Sequence, residues 1–294
     1  MRSGIIKKIS MGLLGLCIAF SAAPLSGISA LADEANAVAP ADPLRIALPE
    51  DAKRLVTVEA EGLAAKVSMF GFSEDESGEK NAYLIMTTDS GLIGRKGMGK
   101  TVEGDEKTPC GLFKMNTPFG ISDALSGFPE NYLKVDSGYY WNGDSASLLY
   151  NKLVNTSEYN DFNKAKSEHL INYGGYYNYC IDTGYNPEGT PGLGSAIFLH
   201  CSMGINTGGC IAIPEADMIT VMRNYVEGGT YIVLDTAGNF EKYYAADDAK
   251  KATAESESEV TDITDGVSPE KNKSPEAYDT ASDMPRIIYA PSAL

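Results

Sequence analysis

Two side chains ten residues apart are of the types that carry covalent acyl chemistry. His200 closes the apolar run Ala196-Ile197-Phe198-Leu199-His200, and Cys210 follows the turn Cys201-Ser202-Met203-Gly204-Ile205-Asn206-Thr207-Gly208-Gly209. A strand ending in a tight turn returns the chain beside itself, which would bring the His200 imidazole within hydrogen-bond reach of the Cys210 sulfur. A thiol nucleophile needs such a base, and a neighbouring cation or a helix N-terminus would favour its thiolate form. Gly208 and Gly209 permit a sharp turn, so the N–H groups of Gly209 and Cys210 would point together at a developing oxyanion. Taken singly, a His on an apolar strand and a Cys before a helix equally describe core filling. A Cys201–Cys210 disulfide is a further alternative. A metal site is disfavoured, because one His among thiols lacks the usual paired ligand spacing.

The elements that must position this pair are short and mostly extended. After Cys210 come the strand Ile211-Ala212-Ile213 and Pro214, which is expected to open a helix at its first position. Met218, Val221, Met222 and Tyr225 fall at helical spacing on one face, Gly228-Gly229 stops the run, and an apolar strand returns over 230–234. Upstream, β-like runs at 55–59, 65–72 and 82–88 are each bounded by turn residues. Residues 121–194 have weak periodicity and read as long loops with short helices. Ten of the seventeen tyrosines lie at 132–185. Their rings would either wall a substrate cleft, with Trp141 and Tyr185 foremost, or pack on one another.

Composition bounds the function. The 24 basic and 40 acidic residues give a formal charge of -16, which argues against binding phosphate backbones or anionic lipid surfaces. Residues 1–32 carry a basic head (Arg2, Lys7, Lys8), an apolar stretch and the small-residue site Ala30-Leu31-Ala32, the pattern of a secretory signal. An uncleaved signal would be the one route to the membrane. Residues 33–44 read as a linker, 45–244 as the folded domain and 245–294 as a disordered acidic tail. Export leaves Cys110, Cys180, Cys201 and Cys210, which pairwise disulfides would accommodate.

Gly94-Arg95-Lys96-Gly97-Met98-Gly99-Lys100-Thr101 satisfies the phosphate-loop pattern. That site requires a helix starting at the Lys-Thr pair, so that backbone N–H groups face the phosphates. Gly104, Pro109 and Gly111 follow within ten residues and break any such helix. A nucleotide is therefore not expected.

Two separated motifs do resemble one family. Ile197-Phe198-Leu199-His200 with Thr207-Gly208-Gly209-Cys210-Ile211-Ala212 is similar to the active-site signature of the L,D-transpeptidases of the YkuD/ErfK type. Gly97-Met98-Gly99-Lys100, Glu103-Gly104-Asp105 and Lys107-Thr108-Pro109-Cys110-Gly111-Leu112-Phe113 resemble that family's upstream run. Gly208 stands where the commoner signature has His, and Ala212 where it has a polar residue, as in a divergent branch. The resemblance implies a mainly β, β-sandwich-like catalytic fold with a few helices, one following the nucleophile. It implies Cys210 as nucleophile, His200 as general base and acid, the Gly209 N–H as oxyanion donor and the Cys201 backbone carbonyl as the group orienting His200. It further implies peptidoglycan stem peptides as substrates outside the cytoplasm, with no metal or organic cofactor. Hydrolysis in place of transfer would make an L,D-carboxypeptidase, and an inert thiol a wall-binding module. Papain-like peptidases fit less well, since they place Cys before His.

Overall fold

The computed structural model describes residues 40–246. The expected signal, most of the linker and nearly all of the acidic tail lie outside them. The chain is mainly β, as the short alternating runs predict. Strands β1 (Arg54–Glu61), β2 (Ala64–Glu74) and β3 (Lys80–Leu92) contain the three upstream runs and extend each of them. Gly62 at φ +61° supplies the positive dihedral that the two-residue turn between β1 and β2 demands.

Shorter strands follow: β4 (Gly111–Lys114), β5 (Pro118–Gly120), β6 (Leu133–Lys134), β7 (Tyr139–Trp141), β8 (Leu153–Asn155), β9 (Glu168–His169) and β10 (Cys180–Asp182). Then come β11 (Phe198–Cys201), β12 (Ile211–Ile213), the helix α1 (Glu215–Asn224) and β13 (Thr230–Thr236). Ten strands form one sheet in the order β4-β13-β1-β2-β3-β12-β11-β10-β5-β6, and β8-β7-β9 form a small second sheet. β1 and β13 pair in parallel and are buried along nearly their whole length; β13 is correspondingly apolar over 231–234, while β1 buries Thr57 and Glu59 among its apolar residues.

Helix α1 buries Met218, Val221 and Met222 against the face of the sheet that carries Cys201, Ile211 and Ile213. Pro214 is its N-cap, at φ -49° and ψ 142°, one position earlier than expected. The helix also ends before the glycines, because Tyr225 is already extended (ψ 135°), and its hydroxyl donates to the Asn116 carbonyl at 2.7 Å. On the opposite face Phe119, Trp141, Tyr177, Phe198 and Cys210 form a second core. Phe198 is its hub, with ring centroids 4.7 Å from Trp141, 5.2 Å from Phe119 and 5.6 Å from Tyr177. Phe198→Ala is expected to lower unfolding free energy by about 3–5 kcal/mol, read by denaturant titration.

At the start of the described region Ala41 is buried, and its N–H donates to Glu59 Oε2 at 3.0 Å. The packed region thus includes residues ahead of Arg45, where the composition suggests that order begins. Among the described residues, no helix is long and apolar enough to cross a membrane.

Candidate active site

β11 and β12 run parallel and pair His200 with Ala212, so Cys210, one residue ahead of β12, falls level with Phe198. Side chains two apart on a strand share a face. Cys210, Phe198 and His200 therefore lie on one side of the sheet, while Cys201 joins the core on the other. A Cys201–Cys210 bridge is excluded by this alternation, and all four described cysteines are free. Among the described residues no group of three or more His, Cys, Asp and Glu is placed to hold a metal ion.

The turn before Cys210 is built by the upstream motif. Thr207 N–H donates to the Ile93 carbonyl at 3.0 Å, and Arg95 N–H donates to the Thr207 carbonyl at 3.0 Å. The Thr108 hydroxyl accepts from Gly94 N–H at 2.9 Å and donates to the Gly209 carbonyl at 2.8 Å. Gly209 has φ +146°, and a Cβ there would lie 2.8 Å from the Lys107 carbonyl oxygen, so only glycine fits. The phosphate-loop look-alike is thus a support for the turn before Cys210. No helix starts at Thr101, and the Lys100 ammonium is turned inward onto Asp105 Oδ1 at 2.9 Å. Burial disfavours the Asp105 carboxylate. Bonds from Thr101 N–H, the Lys100 ammonium and Val102 N–H outweigh it and hold the carboxyl well below its usual range.

His200 is 4% exposed, and its Nδ1 lies 2.9 Å from the Cys201 carbonyl oxygen. A carbonyl only accepts, so Nδ1 carries the proton and Nε2 is left as a base. Burial depresses the imidazole to about 4, with the Cys201 carbonyl opposing. Cys210 is 7% exposed; its thiol donates to the Ala196 carbonyl at 3.1 Å and accepts Phe198 N–H at 3.3 Å. Burial pushes that thiol far up, the Glu168 carboxylate adds to it, and the Phe198 N–H and Lys100 oppose. The resting pair is therefore neutral thiol and neutral imidazole, not the thiolate the sequence suggests, because enclosure outweighs every favourable partner.

No hydrogen bond joins His200 to Cys210 in this state. The register sets them diagonally, and the thiol donates to the Ala196 carbonyl instead. The Gly209 N–H is also occupied, donating to the Thr207 hydroxyl at 3.1 Å, while that hydroxyl donates to the Cys210 carbonyl at 2.6 Å.

Much of the tyrosine-rich stretch packs on its own aromatics. Trp141 does not wall a cleft; it is buried, with Nε1–H donating to Asn151 Oδ1 at 2.7 Å. Tyr185 packs edge-on against Phe113, and its hydroxyl donates to the Leu193 carbonyl at 2.8 Å. His169 stacks on Tyr140 with centroids 4.2 Å apart. The 3-10 segment Leu170–Tyr177 lies against His200, with the rings of Tyr177 and Tyr176 centred 5.5 Å and 6.2 Å from that of His200. Glu168 accepts the Tyr177 hydroxyl at 2.6 Å. Sequence reasoning missed Glu168, Tyr176 and Tyr177. Glu168 stands five residues ahead of Tyr173, the first of the clustered tyrosines Tyr173, Tyr176 and Tyr177.

No family model matches the chain, and no curated protein matches it. Among solved structures it is similar to the helical cell shape determining protein Pgp2 from Campylobacter jejuni, at 14% identity and a TM-score of 0.37, covering 65% of this chain and 50% of that one. It is also similar to Bd1075 of Bdellovibrio bacteriovorus, at 17% identity and a TM-score of 0.38, covering 76% of this chain and 61% of that one. The chain thus spans half the length of the Pgp2 chain and less than two thirds of Bd1075.

Proposed function

We propose that the chain is an exported L,D-transpeptidase that cross-links peptidoglycan stem peptides through a Cys210 thioester. One observation carries the reading. The two motifs that resemble this family, a hundred residues apart in sequence, meet at the turn before Cys210, where Thr108 donates to the Gly209 carbonyl. The adjoining strand offers a base, His200, with its free Nε2 fixed by the Cys201 carbonyl.

In the proposed reaction the thiol turns from Ala196 toward His200 and passes its proton to Nε2 as the sulfur attacks the carbonyl of the third, diamino-acid residue. A neutral pair is compatible with this, since proton transfer can accompany attack and no ion pair need exist beforehand. The tetrahedral intermediate collapses to a thioester, and the departing D-alanine nitrogen takes the proton from His200. The amine of a second stem peptide then attacks the thioester, gives its proton to His200, and the released sulfur regains one. Gly209 N–H would serve the oxyanion by giving up its bond to Thr207.

The test is product analysis by mass spectrometry after incubation with disaccharide tetrapeptides. A cross-linked dimer with release of D-alanine is expected. Tripeptide and D-alanine alone would make the enzyme an L,D-carboxypeptidase, and unchanged substrate would refute both.

A further inference from the structure

The charges around Cys210 are unbalanced. Glu168 accepts the Tyr177 hydroxyl at 2.6 Å, the Tyr177 ring is centred 5.6 Å from that of Phe198, and the Phe198 N–H reaches the Cys210 sulfur at 3.3 Å. With Asp182, Glu168 raises the thiol, and Lys100 opposes them. Lys100 is matched by Asp105 at 2.9 Å, leaving little net positive charge inside. The nearby cations Arg95 and Lys96 are paired with Glu106 at 3.3 and 3.1 Å. His200 is neutral. Glu103, held by the Tyr150 and Ser195 hydroxyls, adds its charge to the field at Glu168.

Glu168 is also fixed in place. It pairs across β7 and β9 with Trp141, and it accepts the Tyr177 hydroxyl at 2.6 Å and a bond from Tyr173. Tyr173 stacks on Tyr177 with centroids 4.5 Å apart, across a kink at Gly174 where φ is 48°. One carboxyl thus clamps two stacked rings whose inner member edges onto His200 and Phe198.

We propose that Glu168 is a specificity-determining residue: its clamp fixes the aromatic wall over His200, and its carboxylate makes the approach to Cys210 favour substrates bearing a cationic group, such as a primary ammonium, over anionic ones. The inference rests on the reading of Cys210 as the reactive thiol. Desolvation, with Glu103 adding, pushes the Glu168 carboxyl up to about 7 against the opposing tyrosine hydroxyls, and burial holds Asp182 at about 6. Protonation removes these charges at low pH, so the preference is present above about pH 7 and fades as pH falls through it.

The experiment compares modification rates of Cys210 by a cationic reagent, 2-(trimethylammonium)ethyl methanethiosulfonate, and an anionic one, 2-sulfonatoethyl methanethiosulfonate, with the label mapped by peptide mass. In both reactions the thiolate attacks the reagent's divalent sulfur, a disulfide forms and methanesulfinate leaves. The ratio of the two rates cancels thiol acidity and most of the steric access. In the full chain at pH 8 the cationic reagent is expected to be favoured relative to its ratio on N-acetylcysteinamide. Glu168→Gln should lower that preference at least about threefold. Tyr177→Phe, which keeps the Glu168 carboxyl and its Tyr173 bond and loses the Tyr177 bond, should retain the preference with its onset moved to higher pH. Glu168→Met provides a second carboxyl-free variant should the Gln variant fold poorly. An unchanged ratio in the carboxyl-free variants overturns the role of Glu168 and leaves the transpeptidase reading standing. A wild-type Cys210 that takes neither reagent overturns both.

Discussion

Cys210→Ser is expected to abolish cross-linking, with kcat falling by at least about 10³-fold while the protein stays folded. A hydroxyl replaces the thiol at nearly the same volume, so the buried contacts with Ala196 and Phe198 can persist. What disappears is the sulfur nucleophile, and a serine hydroxyl beside a base not yet in contact with it cannot substitute. Steady-state release of D-alanine, with the unfolding transition measured alongside, separates loss of chemistry from loss of fold. Retained turnover would show that the thiol only fills the core.

His200→Gln should lower kcat/KM by about 10²–10⁴-fold, the range for removing a positioned general base. Glutamine can still reach the Cys201 carbonyl, so the strand end keeps a partner, but it carries no base. The wild-type pH dependence follows from the same burial. His200 acts as a neutral imidazole, and its value near 4 means that this base is lost only as pH falls through about 4. The acid limb of kcat/KM is thus expected near pH 4, well below an ordinary histidine's near 6.5. A limb near pH 6.5 would indicate a solvated imidazole.

The parts of this molecule that are visible in its sequence are those set by local rules. Strands β1 to β3, β11 and β12 follow from apolar runs bounded by turn residues, and Gly104, Pro109 and Gly111 rule out the phosphate-loop helix without coordinates. The end of α1 was misplaced because the Tyr225 hydroxyl finds the Asn116 carbonyl, a partner 109 residues away. The sequence leaves Trp141 either walling a cleft or packed among aromatics; the structure takes the second, with Asn151 supplying the acceptor that lets the indole be buried. The protonation state of the pair was misjudged for a related reason. Spacing indicates which groups are neighbours, but burial sets the direction in which their acidity moves. Glu168 belongs to this class too, since its importance comes from Tyr173 and Tyr177 folding back onto it across the Gly174 kink.

The wall over His200 also bears on catalysis. His200 and Cys210 are both nearly enclosed, so in the proposed reaction substrate would reach the sulfur only if cover moves, and Tyr176, the less buried of the two rings facing His200, lies nearest the glycine pair Gly174-Gly175. Closure of such cover over bound substrate would exclude water and favour the amine as acceptor.

The thioester claim is tested most directly by intact-mass measurement after incubation with a carbapenem, whose strained ring carbonyl acylates an active thiol. A single covalent adduct that maps to Cys210, and is absent from Cys210→Ser, is the predicted result. An unmodified protein under conditions where the denatured chain still shows a free Cys210 thiol would contradict it.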